Sequence, residues 1–118
     1  MAKDVRQILK DFMGGLETVG KTNGQHVGAF MNLLDTTYKP GALETKEKEL
    51  ISVGIAAYAR CEYCIVYHVY KAYEAGATAE EIMDAAMVAV TFGGGPSLAY
   101  SVTVLKDAVE EFKTDFKK

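Results

Sequence analysis

Apolar residues recur along this chain at helical spacing, and sustained strand-like alternation is absent. Val5, Ile8, Leu9, Phe12 and Leu16 fall on one stripe and predict a first helix over roughly Val5–Glu17, with Gly14-Gly15 as a point of shortening. A turn around Gly20–Gly24 leads to a second helix over roughly Gln25–Tyr38, ended by Lys39-Pro40-Gly41. A third begins near Thr45, with Glu47 and Glu49 early, where a helix N-terminus favours acids, and runs to about Ala59. From Leu50 to Ala59 only Ser52 is strongly polar, so burial on most sides is expected.

The fourth helix is expected from Arg60 or Cys61 to Ala75, with Gly76 as its left-handed C-terminal residue. Thr78-Ala-Glu-Glu81 reads as a capping box opening a fifth helix, Ala79 to about Phe92. Gly93-Gly94-Gly95 breaks the chain and Pro96 suits the start of a sixth. There Leu98, Val102, Leu105, Val109, Phe112 and Phe116 form a heptad-like seam. The reading is therefore an all-α fold of about six helices in a single domain over residues 1–118. The seam and the apolar third helix exceed what six short helices hide, which predicts an obligate homo-oligomer.

Composition changes this picture little. With 118 residues, 49% of them hydrophobic and 25% charged, the chain can bury a core without disulfides. The net charge is −3 and the only basic cluster is Lys117–Lys118, so no nucleic-acid partner is expected. The first residues lack the apolar segment of a signal peptide. Ile51–Ala59 and Ala85–Phe92 are each shorter than the ~20 residues that span a bilayer, so no membrane association is expected. These features predict a cytoplasmic protein. A structural disulfide is not expected in that reducing setting, so the two cysteines, separated by two residues, ask for a chemical explanation.

They lie in Cys61-Glu-Tyr-Cys64-Ile-Val-Tyr-His68. At about 100° per residue, Cys64 and His68 fall near 300° and 340° from Cys61, and Lys71 near 280°, all on one face. Cys61–Cys64 is an i, i+3 pair and Cys64–His68 an i, i+4 pair, so both are lateral neighbours. A thiol becomes a good nucleophile as thiolate, and two features favour that form: the helix N-terminus and an imidazole one turn away. The terminus favours Cys61 as the attacking group and the histidine favours Cys64; hydrogen-bond reach weights the histidine. The second thiol can close an internal disulfide. Two inert core thiols are the plain alternative. A metal site is disfavoured, because four ligands are usual and His26 is the only further histidine. No cofactor is expected.

Glu49 followed, after eleven residues, by Cys61-x-x-Cys64-x-x-x-His68 resembles the signature of the alkylhydroperoxidase D-like branch of the carboxymuconolactone decarboxylase family. The likeness is strongest from about Glu44 to Phe112. It implies an all-α fold assembled into trimers or hexamers, and a hydroperoxide reductase recycled by an external dithiol. It further implies Cys64 as the peroxidatic thiol, Cys61 as the resolving one, and His68 with Glu49 as a proton relay. A hydroperoxide or a disulfide would be the substrate. The best-known members carry a histidine where this chain has Tyr63. The family's decarboxylases lack the cysteine pair, so a lactone-handling lyase is the competing enzyme reading, and a non-catalytic helical assembly or stress-response binding protein the other.

Glu49 tests the reading physically. On a straight helix it would lie roughly 18 Å from Cys61 along the axis. A reversal near Arg60 would instead bring Glu49 and His68 to within roughly 6 Å in axial height. Otherwise Glu49 is a solvated residue, or one paired with Arg60 on its own face. Tyr63, Tyr67 and Tyr70 fall opposite the cysteines and are expected in the core or an interface. His26 is expected to be structural or exposed. Gly93–Pro96 follows no strand and precedes no Lys-Ser/Thr, so it is not a nucleotide loop.

Overall fold

A computed structural model describes residues 4–116, so the basic pair Lys117–Lys118 lies outside the described residues. The order is α1 Val5–Gly20, α2 Gly24–Tyr38, α3 Thr45–Ala59, α4 Glu62–Glu74, α5 Ala79–Tyr100, a π-helical turn Ser101–Leu105, α6 Lys106–Phe112 and a 3-10 turn Lys113–Phe116. No strand occurs among the described residues.

The helix ends follow their local chemistry. Asp4 caps α1 by accepting from the Gln7 N–H. Gly14-Gly15 does not shorten α1, which continues to Gly20. Lys39 is extended, as the residue before a proline tends to be, and ends α2. Thr78 and Glu81 form the expected reciprocal capping box.

The core lies where α3, α4, α5 and α6 meet. Val53, Ile65, Val66, Val69, Ile82, Leu105 and Phe112 are fully buried there. α1 is clasped to the C-terminal end: Arg6 bonds Glu111 and Asp115, and its guanidinium lies over the Phe112 ring. α2 has no buried residue and packs loosely against α1 and α3.

The C-terminal third departs from the sequence reading in three ways. The glycine break is a single residue, Gly94, with φ 63° and ψ −145°, and helical structure resumes at once. The expected seam runs straight only in its second half. Leu105, Val109 and Phe112 are buried, but Leu98 and Val102 are exposed while Ser97 and Ser101 face inward. The π-helical turn at Ser101–Leu105 carries more residues per turn than an α-helix, so it rotates the face between the two halves. Finally, the nearly continuous helical run Ala79–Phe116 is long and apolar enough, by length and composition, to cross a membrane. The separate apolar stretches had not suggested that. The run is nonetheless interrupted at Gly94 and packs along α3.

Candidate active site

The site is made by the α3–α4 reversal. α3 ends at Arg60, which adopts a left-handed conformation (φ 57°, ψ 43°). The N–H groups of Arg60 and Cys61 both turn back to the Ala56 carbonyl. α4 therefore starts beside the end of α3 and returns along it.

This return carries His68 to Glu49. The imidazole Nδ1 lies 2.7 Å from Glu49 Oε1. The carboxylate is sealed, with its side chain 3% exposed, and the imidazole is 15% exposed. An ionised carboxylate only accepts, so Nδ1–H donates and Nε2 is left as the ring's second working position. Glu49 is neither solvated nor paired with Arg60, which is exposed on the turn.

Cys61 is the N-cap of α4 rather than part of it. Its sulfur accepts the Cys64 backbone N–H at 3.2 Å. The two cysteines are joined by a disulfide with their Cα atoms 5.2 Å apart. As residues, Cys64 is exposed and Cys61 half-buried. Cys61 lies at the positive end of the helix, which favours negative charge on its sulfur. Among the described residues no hydrogen bond joins the imidazole to either sulfur. In a disulfide neither sulfur carries a proton to share.

Two tyrosines enclose the imidazole, and neither was read into the site from sequence. The Tyr67 ring meets it edge-on at 5.0 Å, and Tyr38, at the end of α2, lies 5.7 Å away. Tyr38 bonds Ser52, which donates to the Lys48 carbonyl. Burial raises the pKa of both phenols, so both remain O–H groups at neutral pH. Tyr67 was expected on the face opposite the cysteines, yet as the neighbour of His68 it still reaches its ring. Nothing in the sequence pointed to Tyr38, which arrives from another helix. Tyr63 is half-exposed against Phe12, whereas Tyr70 is partly buried and packs on the core against Phe112 and Phe116. Lys71 pairs with Glu74 and lies over the Tyr67 ring, 5.9 Å from its centroid, and His26 is exposed on α2. No group of three or more His, Cys, Asp or Glu side chains among the described residues is disposed to hold a metal ion.

Residues 25–107 match the sequence model of the carboxymuconolactone decarboxylase family. A family protein of Legionella pneumophila with a solved structure is 34% identical and superposes with a TM-score of 0.83 over 96% of this chain and 97% of that one. One from Thermotoga maritima, for which a part in the antioxidative response has been suggested, is 30% identical with a TM-score of 0.74 over 94% and 97%. An uncharacterised protein of Cupriavidus necator is 26% identical over 89% of this chain and 93% of its own length.

Proposed function

This chain belongs to the carboxymuconolactone decarboxylase family, and from that premise we propose that it is a thiol-dependent hydroperoxide reductase or thiol–disulfide oxidoreductase. One observation carries the reading: Cys64, the exposed residue of a Cys-x-x-Cys disulfide, stands on the helix whose His68 pairs with the buried Glu49 of α3. A helical assembly without chemistry has no need of a sealed carboxylate, which is costly to bury. The retained cysteine pair also sets the chain apart from lactone decarboxylation.

In the oxidative half, the Cys64 thiolate attacks the O–O bond of a hydroperoxide. The S–O bond forms, the O–O bond breaks, and the departing alkoxide takes a proton from His68, which Glu49 holds in place. The Cys61 thiol then displaces water from the sulfenic acid and closes the disulfide. In the reductive half, a thiolate of an external dithiol attacks the sulfur of Cys64, the more exposed residue of the pair. Cys61 leaves as a thiolate, stabilised at the start of α4, and the donor's second thiol releases Cys64. Two electrons pass from the dithiol to the peroxide. Where the substrate is a disulfide, the same pair runs the exchange.

We place this chemistry in a homo-oligomer, because Ile51, Ile55, Tyr58, Val88 and Phe92 form an exposed apolar face on α3 and α5; a trimer or hexamer is what the family resemblance implies. The test of the activity is hydroperoxide consumption with a dithiol donor. Cys64→Ser should abolish it, and wild-type turnover by that variant would refute the assignment.

A further inference from the structure

The redox reading, on which this inference rests, obliges the site to take in and expel a proton. A thiolate–thiol pair oxidised by a hydroperoxide consumes one proton, since disulfide, alcohol and water are formed. Reduction of the disulfide by a dithiol back to thiolate and thiol releases one. The group at the far end of the relay, Glu49, is only 2% exposed, so a proton that leaves or enters through it needs a path to solvent.

Glu49 does, however, form part of the wall of a cavity of about 410 Å³ between the end of α2, the start of α3 and α4. Tyr38, Thr45, Tyr67 and Lys71 share that wall, whereas Cys61, Cys64 and His68 are not part of it. A guest there can touch the carboxylate but not the sulfurs, so the cavity is not where an O–O bond is cleaved. Its ionisable lining sets Asp35, Glu49 and Glu74 against Lys39 and Lys71, one carboxylate in excess, which disfavours an anionic guest while Glu49 is ionised. The space far exceeds the ~30 Å³ that one water occupies in the liquid, so a connected chain of waters fits. Tyr38 and Tyr67 bring phenol groups to the same wall.

We propose that this cavity is the proton port of the relay: water held there exchanges protons with Glu49, which passes them to His68, so that protons and peroxide reach the site from different sides. In the oxidative half a hydronium proton moves from the cavity to Glu49 and on to His68; in the reductive half the path runs outward.

The test is chemical rescue in the full-length protein. The reduced Glu49→Ala variant is mixed with hydroperoxide, and disulfide formation is followed in a single turnover with and without millimolar formate. Removing Glu49 leaves the lining charge-balanced, which admits a small carboxylate. Oxidation should slow by ~100-fold or more, the usual worth of positioned proton transfer. Formate should restore at least tenfold of that. Adding Leu34→Trp, on the α2 wall, should abolish the rescue; Ala75→Leu, at the end of α4, is a second plug should the first perturb folding. Equal rescue with the cavity plugged, or no rescue at all in Glu49→Ala, overturns the port. An undiminished rate in Glu49→Ala without formate instead overturns the relay reading beneath it.

Discussion

Removing His68 should damage stability more than removing the Glu49–His68 pair altogether. In His68→Leu the carboxylate keeps its burial, with its side chain 3% exposed, and loses its only hydrogen-bond partner among the described residues. Breaking a buried pair from one side costs about 3–5 kcal/mol, because a charge is left uncompensated. For a chain of this length that is a drop of roughly 10–20 °C in Tm. Replacing both partners by apolar groups, Glu49→Met with His68→Leu, removes the stranded charge and should bring stability back to within about 1 kcal/mol of wild type. Urea unfolding of wild type, His68→Leu, Glu49→Met and the double variant gives the pairwise coupling, expected near 3 kcal/mol. The double variant should be folded and inactive, which would mean that the pair is kept for chemistry. A cost below about 1 kcal/mol for His68→Leu, the value of a solvated pair, would refute the reasoning. So would a double variant no more stable than the single one.

Gly94→Ala should cost about 1–3 kcal/mol, because φ 63° with ψ −145° is a conformation that side chains oppose; an unchanged urea midpoint would contradict this. Phe92, 80% exposed, stands on the proposed subunit face, so Phe92→Lys should reduce the mass in light scattering toward the 12.8 kDa protomer without loss of helical signal. An unchanged mass would show that this face does not hold the assembly. The hydrogen bonds from Arg6 lower the pKa of Asp115. A lowered carboxyl stabilises the fold above the ordinary aspartate pKa of about 3.9, and that contribution is lost as pH falls through the lowered value. Arg6→Leu should therefore flatten the acid limb of stability against pH, and an unaltered limb would place the acid sensitivity elsewhere.

The Glu49–His68 contact was legible in the sequence because it depends on one-dimensional quantities. The helical rise and a reversal near Arg60 suffice to set Glu49 against His68, and Arg60 supplies that reversal through its left-handed backbone. The capping box at Thr78 was equally readable, since its partners are three residues apart. Cys61 was placed at the helix start, but its role as the N-cap depends on backbone geometry that the residue names do not carry. The seam of the last helix failed where a π-helical turn changes the period. Leu98 and Val102 keep the spacing expected of buried residues and still face outward. Tyr38 was invisible because it reaches the imidazole from a separate helix, through the 39–44 connection. The proton port, built from three elements, was beyond sequence reading for the same reason.

The most direct test treats fully reduced protein with one equivalent of an organic hydroperoxide, without donor, and follows it by mass spectrometry. Oxidation of the vicinal dithiol predicts a product two hydrogens lighter, with Cys61 and Cys64 linked, and one equivalent of alcohol released; in Cys61→Ser the added oxygen should rest on Cys64 instead. Thiols still free after the peroxide has been consumed, or oxygen added to methionine alone, would contradict the account.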